Sequence, residues 1–273
     1  IALVRTADFD YHLPRHLIAQ TPVEPRDHSQ LLVLDRATGR MEHRRFDHLP
    51  EYLRPGDVLV FNDSRVIPAR LCGRRADTGG QVELLLLRRL EPGLWQALGK
   101  PGRRLKAGAR LVLEESLAAE MRGENDDGSR TVWLEDEAAL ERVGRVPLPP
   151  YVHTPLADPE RYQTVYARVA GSVAAPTAGL HFTPELLRRI EEMGVRSAFV
   201  TLHVGLDTFR PVQAEDPRDH KLHSEWWHLP EEAAHRRSPD GALSIWAGSI
   251  AVHVMDAALL RRLAGAADAL PFH

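Results

Sequence analysis

Apolar and polar residues alternate through much of the first half of the chain and change to helical spacing further on. LLVLD at 31–35, a turn at Thr38 and Gly39, and the return through 41–46 predict a hairpin. Asp47 is placed to cap a short helix through Leu53, which Pro55 and Gly56 end. DVLVF at 57–61 is a short unbroken apolar run, which predicts a buried strand. It closes on Asn62, Asp63 and Ser64, polar residues of the kind that end strands and present side chains. From 66 to about 147 short β-rich runs recur: VIPARLCG, QVELLLLRRL, LWQAL, ARLVL and RTVWLE. Gly79–Gly80, Pro92–Gly93, Pro101–Gly102, Gly108 and Asp127–Gly128 separate them, a spacing that predicts a small antiparallel barrel or sandwich. Pro147, Pro149 and Pro150 stiffen the chain into an extended return.

The texture then becomes α/β. A helix is predicted over 160–170, followed by a loop of small residues, GSVAAPTAGLHFT at 171–183. Thr183 precedes Pro184, an N-cap before proline at the first helical position. Leu186, Leu187, Ile190 and Met193 follow at helical spacing, and Gly194 stops the helix. VRSAFVTLHV at 195–204 predicts the next strand, and 254–264 has the composition of an apolar helix. The fold class expected is therefore an α/β main domain, 1–65 and 148–273, with an inserted small antiparallel β-barrel domain, 66–147.

Composition narrows the function classes only modestly. Of the 273 residues 43% are apolar and 27% charged, ordinary values for a globular protein. No run approaches the ~18 apolar residues of a membrane-spanning helix. The first residues lack the pattern of a secretory signal. The single cysteine, Cys72, allows no intrachain disulfide or multi-cysteine zinc site; it fits a cytoplasmic protein and a small side chain in a barrel strand. A net charge of −3 confines any RNA contact to a local basic patch. Lys100, Arg103, Arg104 and Lys106 in GKPGRRLKAG supply one, and each alone also fits a solvated face. Arg74–Arg75, Arg88–Arg89 and Arg188–Arg189 are further basic pairs.

Several residues carry candidate chemistry. In the small-residue loop, Gly171 and Gly179 allow close approach to the backbone, Ser172 and Thr177 offer hydroxyls, and His181 sits just before the helix cap. The same loop also fits a tight crossover with His181 in the core. His203 ends the predicted strand, and Thr208, Phe209 and Arg210 follow. Asn62, Asp63, Ser64 and Arg65 form a polar knot in which Arg65 can fork onto an anion or join a salt bridge. His220, His223 and Glu225 share no single helical or strand face, so no metal is expected. No phosphate-loop pattern is present.

Taken in order, these blocks resemble a known family. DFDYHLPRHLIAQTPVEPRDHSQLLVLDR, LRPGDVLVFNDSRVIPARLCGRR, GGQVELLLLRRL, GKPGRRLKAG, RVPLPPYV, ERYQTVYA, GSVAAPTAGLHFTPELL, VTLHVGLDTFRPV and HKLHSEW are similar to the S-adenosylmethionine:tRNA ribosyltransferase-isomerases of queuosine synthesis, from about Asp8 to Trp226. The resemblance implies an α/β domain paired with a β-barrel. It implies transfer and isomerisation of the ribosyl moiety of S-adenosylmethionine onto 7-aminomethyl-7-deazaguanine at the tRNA wobble position. Epoxyqueuosine forms, and adenine and methionine leave. S-adenosylmethionine is then a consumed substrate, with no recycled cofactor and no metal, and the partners are that tRNA and S-adenosylmethionine, with no membrane and a monomeric enzyme.

Such chemistry needs a base beside the sulfonium, a proton for departing adenine and a neutral acceptor amine. The candidates are His181 and His203, then Asp63. Asn62, Arg65, Ser172, Thr177, Gly179 and Arg210 are the expected substrate-binding residues, and Lys100, Arg103, Arg104 and Lys106 the RNA-binding ones. Two departures stand out. Asp207 replaces a glycine usual in the family, and beyond about Arg237 the family's blocks are not found. The latter leaves a second reading, a non-catalytic tRNA- or nucleotide-binding remnant. A methyltransferase is disfavoured, because no Gly-rich nucleotide loop follows a first strand.

Overall fold

The computed structural model describes residues 5–205, 212, 214–219 and 225–231, together with the backbone of 253–255. The hairpin forms as expected, β1 Gln30–Leu34 against β2 Met41–Arg45. The next turn, Phe46–Tyr52, is a 3-10 helix, and Pro50 inside it has no N–H for α-helical bonding. β3, Val58–Asn62, is the buried strand, with Leu59 and Phe61 fully covered. A short β4, Ser64–Val66, follows.

Six strands then close into an antiparallel barrel: β5 Arg70–Arg75, β6 Gln81–Glu91, β7 Leu94–Lys100, β8 Arg110–Leu113, β9 Ala118–Glu124 and β10 Arg130–Leu134. Around the barrel the order is β5-β6-β7-β10-β9-β8, and closure leaves no free edge among these strands. Period-two alternation builds its interior. Val82, Leu84 and Leu86 of β6 point inward with Leu71, Ala97, Leu111, Met121 and Val132. The intervening Glu83, Leu85 and Leu87 face the other way, onto a groove described below. That second face explains why β6 reads as an almost unbroken apolar run. Cys72 is half-buried in β5. Because Leu84 is fully covered, Leu84→Ala should cost about 2–5 kcal/mol in chemical denaturation, whereas a loss below ~1 kcal/mol would mean the interior is not packed as described.

After the short helix α1, Leu140–Val143, the chain returns to the main sheet. The helix expected over 160–170 does not form. Asp158 caps one 3-10 turn, Pro159–Tyr162, and the chain then runs through turns into β11, Val169–Ser172. The cause is tertiary. Gln163 mimics a strand partner, accepting from the Val66 N–H (2.9 Å) and donating to the Val66 carbonyl (2.8 Å). β11 also pairs parallel with β4, with a shift in register at Gly171. β-branched and aromatic residues, Thr164, Val165, Tyr166 and Val169, add little helical preference to resist this.

α2, Pro184–Glu192, matches its expected caps: the Thr183 hydroxyl accepts from Leu186 N–H at 3.1 Å, and Gly194 at φ +83 ends the helix. Its apolar side, Leu186 and Ile190, packs on Phe46, Leu49, Leu59, Phe61 and Phe182. β12, Arg196–His203, lies parallel to β3, with β13, Trp226–His228, outside it. β14, His253–Met255, pairs antiparallel with the other edge of β3. Val254 and Met255 thus lie in a strand where a helix was expected, and the rest of 254–264 lies outside the described residues. The result is a mixed α/β sheet unit joined to a closed β-barrel. Among the described residues no helix is long and apolar enough to cross a membrane.

Candidate active site

The polar knot after β3 is the joint of the sheet unit. Asn62 continues β3 with its side chain: Nδ2 donates to the Leu202 carbonyl at 2.9 Å, and Oδ1 accepts from the N–H groups of Leu202 and Ser64, both at 3.0 Å. Every polar atom of that amide is thereby occupied by backbone. Asp63, 2% exposed, is likewise held: Oδ1 accepts from the Thr201 hydroxyl at 2.7 Å and Oδ2 from Arg168 Nη2 at 2.8 Å. Arg168 is itself 64% exposed and lies over the Phe199 ring at 5.2 Å. Arg65 forks onto Glu160, the salt-bridge alternative at that position.

His203 ends β12. Its imidazole rests on Gly171, where the register shift in β11 leaves no side chain; a Cβ there would fall 2.2 Å from His203 Cε1. The other contact is Trp226, directly across the strand pair, with ring centroids 4.7 Å apart. Nε2 of His203 is buried and has no hydrogen-bond partner, the state in which a ligand or water group completes a site. Burial holds the His203 pKa below its ordinary value, opposed in part by a backbone hydrogen bond at Val169 and by the nearby Asp63 charge. A neutral imidazole at neutral pH is the form that accepts a proton.

His181 is placed apart from this group. It ends a 3-10 turn, Thr177–His181, and packs against Phe46 at 5.2 Å. Its Nδ1 lies 2.8 Å from Ser29 Oγ, and that hydroxyl donates to the Arg26 carbonyl at 2.9 Å. With the hydroxyl proton so used, Nδ1–H of His181 donates to Ser29. Burial first, and then the Arg161 charge, lower its pKa. The unfolded imidazole takes up a proton near about 6.5 while the folded one resists, so stability is lost as pH falls through that value. His181→Phe should therefore shrink the drop in melting temperature between about pH 7.5 and about pH 5.5; an unchanged drop would contradict this.

A groove of about 1220 Å³ runs between the strand ends and the outer face of the barrel. His203, Gly171, Ala170, Gly205, Glu225 and Trp226 line one side, and Leu85, Leu87, Arg88, Leu98 and Lys100 the other. His203 and Lys100 are thus on one cavity, while Asp63 lies behind His203. The remaining expected binding residues are elsewhere. The Ser172 hydroxyl donates to the Ala174 carbonyl at 2.6 Å and accepts from the Val204 N–H at 3.0 Å. Gly179 lies against the Tyr166 hydroxyl, which a Cβ would approach to 2.2 Å, and Thr177 is exposed at the start of its turn. Arg103, Arg104 and Lys106 are exposed beside Lys100, and none of the four has a carboxylate within ion-pair distance among the described residues. Arg75, Arg89, Arg142 and Arg145, by contrast, are all ion-paired. Arg210, Thr208, Phe209, Asp207, His220 and His223 lie outside the described residues. Among the described residues no cluster of three or more side chains could hold a metal ion.

Comparison with known proteins bears on which chemistry this groove serves. A family model described as "Queuosine biosynthesis protein" matches residues 6–242. The chain belongs to that family. Its relatives include proteins named S-adenosylmethionine:tRNA ribosyltransferase-isomerase. The one from Dehalococcoides mccartyi strain CBDB1 is 56% identical over 236 residues, covering 85% of this chain and 69% of the relative. That from Symbiobacterium thermophilum is also 56% identical, with the same coverage. The Staphylococcus aureus protein is 53% identical over 232 residues, covering 83% of this chain and 68% of the relative. A crystal structure of S-adenosylmethionine tRNA ribosyltransferase from Thermotoga maritima is 38% identical, covers 82% of this chain and 62% of that chain, and gives a TM-score of 0.34. The chain therefore spans roughly two thirds of the length of these queuosine-family proteins.

Residues that sequence reasoning missed as site formers are Trp226 and Arg168, and Gly171 in its role as the seat of His203, while Arg88, counted there only in a basic pair, lines the groove. Glu225, weighed there only as a metal ligand, instead accepts from the Gly205 N–H at 2.8 Å.

Proposed function

We propose that this member of the queuosine biosynthesis family transfers and isomerises the ribosyl moiety of S-adenosylmethionine onto 7-aminomethyl-7-deazaguanine at the tRNA wobble position. Adenine and methionine leave. The observation that supports the reading is His203, which lines the groove shared with the basic barrel face and whose Nε2 is buried and unpartnered. Deprotonation beside a sulfonium, or of the acceptor amine, needs a neutral base held in a cleft, and His203 answers that need. Asp63 serves behind it as a positioning group, its oxygens occupied by the Thr201 hydroxyl and Arg168. His181, hydrogen-bonded to Ser29 and packed on Phe46, supports the fold of the loop. Within 171–183, Gly171 is the residue at the groove; Ser172, Thr177 and Gly179 shape the loop that carries it. The relatives' names favour this reading over a non-catalytic remnant. The test is incubation with S-adenosylmethionine and the base-bearing tRNA: adenine and methionine released in equal amounts support it, and binding without release opposes it.

Lys100, Arg103, Arg104 and Lys106 are assigned to RNA phosphates, with the barrel at 66–147 as the module that presents them. Alanine at all four should weaken tRNA binding and reduce the dependence of log affinity on log salt by about 0.7–0.9 per lost contact. S-adenosylmethionine affinity should not change. An unaltered salt dependence would remove these residues from the interface.

A further inference from the structure

The groove contains an aromatic surface and a carboxylate that the proton chemistry leaves unused. Trp226 opens β13 opposite His203 and is 52% exposed, although its ring already touches that imidazole. His228, two residues on in the same strand, lies nearly parallel to it, with ring centroids 6.3 Å apart and 16° between the planes. The preceding residue, Glu225, is fixed by its bond from the Gly205 N–H, two residues beyond His203 in the chain. Both residues line the groove with His203 and Gly171.

We propose that Glu225 and Trp226 form the seat for a guanine-type base presented by the RNA. The indole covers the face of the ring, and the carboxylate accepts the ring N–H and the adjacent exocyclic amine. This deepens the function proposed above and rests on RNA being the acceptor. A half-exposed indole held against the His203 imidazole is a stacking surface at little entropic cost. Such a surface accepts any base, so selection must come from the edge. An ionised carboxylate only accepts hydrogen bonds. A guanine-type edge offers two adjacent donors to it. Adenine offers one donor beside a ring nitrogen whose lone pair would face the carboxylate. The pair therefore welcomes one base class and repels the other. A base seated there also lies in the same groove as His203, while Arg88 and Lys100 face it from the barrel.

The test uses anticodon stem-loops bearing either 7-aminomethyl-7-deazaguanine or adenine at the wobble position, with affinities measured by anisotropy in the absence of S-adenosylmethionine. The intact chain should prefer the first by at least about tenfold. Glu225→Gln should lose that preference, its amide carbonyl still able to accept from Gly205. Trp226→Ala should weaken both stem-loops by about five- to hundredfold, and Trp226→Phe by much less. S-adenosylmethionine affinity should be unchanged in every variant. No preference in the intact chain overturns the proposal, as does a preference that survives Glu225→Gln. Weakened S-adenosylmethionine binding in these variants overturns it too, by placing the donor's adenine on the seat. Should Glu225→Gln fail to fold, the intact chain's preference and Trp226→Phe decide. No arm requires turnover, so a failure of the transferase reading stays distinguishable from a failure of this one.

Discussion

His203→Ala should lower the single-turnover rate of adenine release by about 10²–10⁴-fold, the range for losing a positioned acid–base group. S-adenosylmethionine affinity should change little. Three features of one ring lead to this expectation. Its Nε2 is unpartnered, its pKa is held down by burial, and it stands in the groove wall. Because the neutral form is the active one, activity should fall as pH drops through the folded value. Burial places that acid limb below the ordinary histidine value of about 6.5. The variant should lose the limb as well as the rate, and added imidazole should restore part of the rate. A merely structural histidine would give neither effect. A variant with full rate and an unchanged pH profile would remove His203 from the chemistry.

Gly171→Ala should be nearly as damaging, although it adds a single methyl group. The backbone at Gly171 has φ +146, a region that side chains avoid, and the new Cβ would meet His203 Cε1, Nδ1 and Nε2 at 2.2, 2.5 and 2.8 Å. The imidazole must move. Backbone strain of this kind costs about 1–3 kcal/mol, and displacing a reacting group by about 1 Å costs on the order of 10² in rate. Gly123→Ala is the matched control, because nothing lies within 4 Å of its added Cβ and its φ is not in that region. Melts and single-turnover rates on the two variants check the claim. Equal behaviour would mean that the His203 ring does not depend on the Gly171 space.

What the sequence made legible follows from the range of the interactions involved. The barrel could be read because each strand alternates locally and each break carries a glycine, proline or Asx turn. The caps of α2 are equally local. The segment 160–170 departs from its local helical pattern because its conformation is decided by Gln163 reaching Val66 and by β11 pairing with β4, both about a hundred residues away. The site shows the same division. His203 was legible as a strand-end histidine. That His181 lies apart from it, and that Asn62 and Ser172 are occupied by backbone, depends on tertiary hydrogen bonds. Trp226 was visible only as a letter in a block; its place across from His203 depends on the register of β12 and β13.

The most direct measurement follows two labels through one turnover. S-adenosylmethionine labelled in the ribose, and separately in the methyl group, is reacted with tRNA bearing the aminomethyl base, and the tRNA is counted. Ribose label should enter the tRNA in step with adenine release, while methyl label leaves with methionine. Methyl label in the tRNA, or no ribose label in it, would contradict it.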